Sequence, residues 1–367
     1  MRFLNEFRDG ALARGMARRL SGIARPGRAY RFMEFCGGHT HAIARYGLED
    51  LLPENVRMIH GPGCPVCVLP VARIDAAIRL ARTQPVTLCT YADLMRVPAS
   101  GGSSLMKAKA AGADIRMVYS TLDAIRLAES APDREIVFFA IGFETTAPAT
   151  ALALKIATQK GLTNFSVFCN HVLTPPAMRA ILSGEAELDG FVGPSLVSTV
   201  IGLAPYDFGA LEQGKPLVVA GFEPLDVLQA IVMLIEQVNA GAGKVENQYR
   251  RAVTPQGNYA AQSAVAEVFE IRAAFEWRGL GDVPRSALRL ADGWASFDAE
   301  RRFGIETLAA RDNPACECGA VLRGAKEPKD CKLFGTVCTP ETPMGSCMVS
   351  SEGACAAYYH FSGVEEV

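Results

Sequence analysis

Neither sign of charge dominates this chain. Its 37 Lys and Arg face 39 Asp and Glu, leaving a formal net charge of −2. There is no basic field to hold nucleic acid and no acidic tail. Long apolar runs are missing too. Nothing approaches the ~20 apolar residues of a membrane-spanning helix. The opening segment, Met1–Ala24, is rich in Arg and Ala but carries Glu6 and Asp9 and lacks the apolar core of a secretory signal. It is expected to be an amphipathic helix of the folded protein, which places the chain in a reducing cytoplasm. The phosphate-binding pattern Gly-x-x-x-x-Gly-Lys-Ser/Thr occurs nowhere, so the Ser/Gly turn Ala99–Ser104 gives nucleotide binding only weak support.

What is present in quantity is sulfur. Six of the eleven cysteines lie between Cys316 and Cys355. Two more form Cys64-Pro65-Val66-Cys67, and another opens Cys36-Gly37-Gly38-His39-Thr40-His41. In a reducing compartment such density points to metal binding or redox catalysis rather than a structural disulfide framework. Thiolates are soft ligands that select iron–sulfur clusters, zinc or copper(I).

Short β-branched runs followed by helical patterns recur through the first 225 residues. The first set is Tyr30–Phe35, Val56–His60, Val86–Thr90 and Ile115–Tyr119. The second is Ile136–Ile141, Phe165–Cys169, Gly190–Val192 and Leu217–Ala220. Alternating strands and helices imply parallel sheets covered by helices. The expected fold is α/β: two similar parallel-sheet domains, 30–130 and 131–222, then a mainly helical, cysteine-rich region, 223–367, joined by 1–29. Helices are expected at Leu225–Val238 and Ala260–Phe275. A cysteine-rich region with so little core of its own is expected to be held by a metal centre.

Most of the unusual motifs follow a predicted strand. In parallel sheets ligands bind outside the carboxyl ends of the strands, so these motifs are expected to line one cleft. Cys36 sits at a strand-to-helix turn, where helix N-terminal dipoles favour the thiolate, with His39 and His41 as co-ligand or proton carrier. The competing reading is a buried free cysteine with histidines satisfied by backbone. Cys64 and Cys67 fit either a reversible dithiol or half of a zinc site. Glu144, in Gly142-Phe143-Glu144-Thr145-Thr146, enters a helix and suits either an anion site or a cap. His171, at a strand end beside Asn170, is assigned to the cleft, whereas Cys89 and Cys169 are read as packed cysteines.

From Cys331 the spacing is Cys-x6-Cys-x8-Cys-x7-Cys. This matches neither ferredoxin pattern nor a zinc ribbon. Wide spacing through turns suits a cubane held by loops, so Cys331, Cys338, Cys347 and Cys355 are expected to ligate a [4Fe–4S] cluster, with Cys316 and Cys318 a separate redox pair. Spacing alone does not force this set of four.

Four motifs occur in an order that resembles the HypD family of hydrogenase maturation factors: Phe35-Cys36-Gly37-Gly38-His39-Thr40-His41, Gly61-Pro62-Gly63-Cys64-Pro65-Val66-Cys67, Gly142-Phe143-Glu144-Thr145-Thr146-Ala147-Pro148 and Cys347-Met348-Val349-Ser350-Ser351-Glu352-Gly353-Ala354-Cys355. The resemblance spans nearly the whole chain. It implies a scaffold for assembling the Fe(CN)2CO unit of [NiFe]-hydrogenases, carrying a [4Fe–4S] cluster. Its implied partners are a small HypC-type chaperone and HypE/HypF-type cyanide-delivery proteins. It further implies that Cys36 holds the iron jointly with the partner, assisted by His39 and His41, and that Cys64 and Cys67 are a redox pair. A stand-alone iron–sulfur thiol-disulfide oxidoreductase and a zinc-stabilised α/β binding module are the alternatives.

Overall fold

The computed structural model describes residues 5–184 and 187–361. The chain lays down β1 (Tyr30–Glu34), β2 (Val56–His60), β3 (Val86–Thr90), β4 (Ile115–Met117), β5 (Glu135–Gly142), β6 (Phe165–His171), β7 (Gly190–Pro194), β8 (Leu217–Ala220) and β9 (Val245–Asn247). One sheet has the order β2-β1-β7-β8-β9 and the other β4-β3-β5-β6. Every pairing within both is parallel. The α/β class is therefore as expected, and β2, β3 and β8 begin and end at the residues read from sequence.

The grouping of strands differs from the expectation of one sheet from 30–130 and another from 131–222. Strands β1 and β2 share a sheet with the later β7, β8 and β9, β1 pairing with β7, while β3 to β6 form the other sheet. Apolar periodicity marks a strand but not its neighbour, and a crossover can carry the chain to any strand of a parallel sheet. The chain leaves the first sheet after β2 and returns at β7. The Gly61–Cys67 motif thus lies on the passage between the sheets.

Four helices fix the site. They are α1 (Gly10–Ile23), α2 (Gly37–Arg45), α3 (Pro65–Val68) and α4 (Val71–Thr83). The expected N-terminal helix is α1, whose start is capped by Asp9 accepting from the backbone N–H of Ala11 (2.8 Å) and Leu12 (2.9 Å). Its apolar side, Ala13 and Leu20, packs with Leu228, Ile231 and Ile235 of the helix Pro224–Asn239. Met1–Leu4 and 362–367, parts of the expected N-terminal helix and third region, lie outside the described residues.

The helix expected over Ala260–Phe275 ends early, as Tyr259–Val268. Beyond it come β10 (Phe269–Ile271), β11 (Ala274–Trp277), β12 (Gly281–Pro284) and β13 (Leu288–Leu290), paired antiparallel as β10–β13 and β11–β12. Phe275 and Trp277 point inward while Ala274 and Glu276 point out. That two-residue period belongs to a strand, and the apolar run had masked it. Among the described residues no helix is long and apolar enough to cross a membrane.

Leu20 is fully buried at the contact between α1 and the helix Pro224–Asn239. Leu20→Ala should cost about 2–5 kcal/mol by the combined loss of transfer energy and packing, read as a lower urea midpoint with unchanged slope.

Candidate functional site

Cys36 follows β1 and is the N-cap of α2, in extended conformation. Its carbonyl accepts from the N–H of His39 (2.8 Å) and Thr40 (3.2 Å). Beneath it lies Glu34, a fully buried carboxylate at the end of an apolar strand. Glu34 accepts the Cys36 N–H at 2.9 Å and the Thr40 hydroxyl. The parallel register sets Glu34 opposite His60, whose Nδ1 donates to the same carboxylate at 2.9 Å. His60 Nε2 lies 2.9 Å from the Tyr358 hydroxyl, which hydrogen-bonds Glu49 at 2.8 Å. A buried carboxylate is costly unless its oxygens are satisfied, and here three donors hold it in place. Sequence reading missed Glu34, although one acid closing an apolar strand just before the cysteine is a visible signal.

Three glycines let other segments reach Cys36. A Cβ on Gly63 would lie 2.7 Å from the Cys36 carbonyl carbon, and the Gly63 carbonyl accepts the Gly37 N–H at 3.2 Å. A Cβ on Gly38 would lie 2.6 Å from the Phe222 ring, and one on Gly37 would lie 2.7 Å from the Glu352 carbonyl oxygen. The Gly61–Cys67 loop, the turn after β8 and the cysteine-rich segment therefore all abut this one helix start.

The thiol does not behave as the helix-dipole argument expects. Cys36 is only partly exposed, and burial pushes it up to about 12 against the lowering effect of the Gly38 and His39 N–H groups. Desolvation outweighs the short helix start. A bound cation is what would draw the proton off.

The histidines diverge. His39 is fully buried against Phe222, with its Nε2 donating to the carbonyls of Ala220 (3.0 Å) and Gly221 (3.1 Å). Burial lowers its pKa, so the ring is neutral and Nδ1 keeps its lone pair, with no hydrogen-bond partner. His41 turns the other way, edge-on to Phe361 at 5.0 Å.

Cys64 and Cys67 form a disulfide, with Cα atoms 5.2 Å apart and Pro65 opening α3. Both are buried in a core shared with Cys318, Cys338, Cys347 and Cys355. Ser346 ties the bridge to that segment, its hydroxyl donating to the Cys67 carbonyl at 3.0 Å.

The terminal cysteines wall a small cavity. Cys316, Cys318, Cys331, Cys338 and Cys355 line it together with Val321, Leu333, Phe334 and Met348. Three of the four expected cluster ligands are in that wall. Cys347 is not, being fully buried and within hydrogen-bonding reach of Cys318 and Cys355. Cys316 and Cys318, read from sequence as a separate pair, are in it. The Cys316 thiol is drawn down to about 7, chiefly by its hydrogen bond with Cys318. Among the described residues no three Cys, His, Asp or Glu side chains close around a single ion. Soft thiols gathered in one wall fit an iron–sulfur group or zinc.

Glu144 and His171 make their hydrogen bonds with residues other than Cys36. Glu144 is a buried cap for the helix Thr174–Leu182, accepting from Thr174 through its N–H (2.8 Å) and hydroxyl (2.9 Å). His171 lies in the core against Phe269, with Nε2 2.9 Å from the Thr150 hydroxyl, and burial lowers its pKa to about 4. A strand end can face its covering helix as readily as the cleft, which the residue order does not reveal. Cys89 and Cys169 are packed, as read.

Comparison with known families puts this arrangement among hydrogenase-formation proteins. The family model described as "HypD: Hydrogenase formation hypA family" matches residues 11–362. The hydrogenase maturation factor HypD of Rhizobium leguminosarum bv. viciae is 67% identical over 373 residues, covering all of this chain and 97% of that protein. Its counterpart from Cupriavidus necator is 61% identical over 374 residues, covering 100% and 99%. That of Escherichia coli K12 is 49% identical over 369 residues, covering 98% of each. The chain belongs to the HypD family.

Burial raises the Glu144 carboxyl from 4.5 to about 7. The folded state thus holds this proton more tightly than the unfolded chain, and the resulting stability is present below about pH 4.5 and lost as pH rises through about 7. Glu144→Gln, which stays neutral, should gain on the wild type by up to about 3 kcal/mol between pH 5 and pH 8 in denaturant titrations.

Proposed function

We propose that this chain is a hydrogenase maturation scaffold on which the Fe(CN)2CO unit of [NiFe]-hydrogenases is put together. The observation that carries this reading is the meeting of Cys36, the Cys64–Cys67 bridge and the cysteine-rich segment at one helix start. Iron is the cargo. Cys36 supplies a soft anchor, and a second thiolate from a small HypC-type chaperone completes the hold. HypE/HypF-type proteins deliver cyanide.

The chain's own residues have separable tasks. Glu34 fixes the Cys36 backbone, so the thiol direction is set before iron arrives. Neutral, buried His39 ties the start of α2 to the turn after β8 through the Ala220 and Gly221 carbonyls. The Cys64–Cys67 bridge takes up two electrons and two protons on becoming a dithiol, and returns them on closing. It is buried, which disfavours the alternative of a stand-alone oxidoreductase acting on protein disulfides.

The clustered thiols suit a [4Fe–4S] cluster, with Cys331, Cys338 and Cys355 of the cavity wall as ligands and Cys347, hydrogen-bonded to Cys355, as the fourth. When bound, such a cluster supplies electrons one at a time.

The protein copurified anaerobically with its small partner should show infrared bands of metal-bound cyanide and carbonyl. Cys36→Ala should abolish them while the brown iron–sulfide colour stays, and bands that survive this change would refute the anchor role. Iron and sulfide analysis of reconstituted variants checks the ligand set. Cys331→Ala and Cys347→Ala should lose most of the chromophore, whereas Cys316→Ala should retain it.

A further inference from the structure

One buried cation in the molecule has no assigned task. Arg278 follows β11, with its side chain 1% exposed. Its guanidinium lies 3.4 Å from the half-exposed Asp312, yet Nε and Nη2 make no hydrogen bond. Buried polar groups are nearly always satisfied, and a buried charge with idle donors calls for an explanation.

Its surroundings supply one. The Arg278 N–H donates to the Val68 carbonyl at 2.8 Å, one residue beyond Cys67. The next residue, Gly279, packs directly on Gly319, the neighbour of Cys318: a Cβ on Gly279 would lie 2.9 Å from the Gly319 Cα. Arg323 hydrogen-bonds the Gly279 carbonyl from the same segment. Arg278 therefore stands between the Cys64–Cys67 bridge and the Cys316–Cys318 edge of the thiol cavity. The guanidinium meets Asp312, four residues before Cys316, so its charge lies beside the segment that opens this edge.

We propose that Arg278 is the charge partner of the iron–sulfur centre: its idle N–H groups and buried charge offset the negative charge of the thiolate-bound cluster and favour the cluster's reduced state. This rests on the reading that the cavity thiols hold such a cluster. Reduction adds one electron, hence one more negative charge, beside a cation already in place and already desolvated. Hydrogen bonds to cluster sulfur, local charge and burial are the levers that set such potentials. Arg278 is a positioning and tuning residue and need not touch the iron cargo. Lysine would keep the charge but lose the planar fork, and methionine would lose both.

The test uses the full chain, reconstituted anaerobically with iron and sulfide and poised at the wild-type midpoint potential. Electron paramagnetic resonance reads the reduced fraction. Arg278→Met should lower the reduced-to-oxidised ratio by about tenfold, the scale of a charge-assisted hydrogen bond, and Arg278→Lys by less. Near-ultraviolet circular dichroism checks folding, and should the methionine variant not fold, Arg278→Lys carries the test alone. A loaded variant with the wild-type ratio overturns this inference and leaves the scaffold reading intact. A wild-type chain that takes up no iron–sulfide chromophore overturns the cluster reading and this inference together.

Discussion

Everything at the site depends on how closely backbone can approach backbone around Cys36. Three positions without side chains, Gly37, Gly38 and Gly63, sit where a methyl group would strike Glu352, Phe222 or Cys36 itself. Their absence of bulk lets a strand end, an inter-sheet passage and the terminal cysteine segment share one point. Packing of this kind has little slack, because protein interiors are as dense as organic crystals. The Glu34 carboxylate, fixed by donors from Cys36, Thr40 and His60, keeps that point from relaxing.

The same crowding explains the electrostatics. Cys36, His39 and Glu144 are all shifted toward their neutral forms, and in each case burial is the leading cause. Short helix starts and backbone N–H groups oppose this at Cys36 and lose. A thiol kept protonated by burial is protected from casual alkylation or oxidation, since the thiolate is the reactive form.

Much of this was legible in the residues. Strands such as Val56–His60 stand out because β-branched and apolar residues cluster between turn formers, and the Cys-Gly-Gly-His and Cys-Pro-Val-Cys groups mark themselves by composition. Two kinds of information were not. Which strands are neighbours depends on long-range packing, so the return of β7 and β8 to β1 could not be read from local pattern. Side-chain direction at a strand end was equally hidden. His171 and Cys36 both lie at or just beyond strand ends, yet one faces a covering helix and the other a helix start open to three segments. The hairpins after Val268 were lost because a dense apolar run reads as helix until its two-residue period is noticed.

The sheet order also has a temporal meaning. Cys36 belongs to a sheet whose third and fourth members, β7 and β8, emerge from the ribosome more than 150 residues after it. A growing chain can finish the middle sheet first, while its earliest cysteine waits beside β1, which then has only β2 as a neighbour. The neighbours that shape the cysteine's surroundings include Phe222 and Glu352, so they come later still. The surroundings of Cys36 are thereby complete only once Glu352 has been made, and a product truncated before it carries the Cys36 thiol without its finished nest.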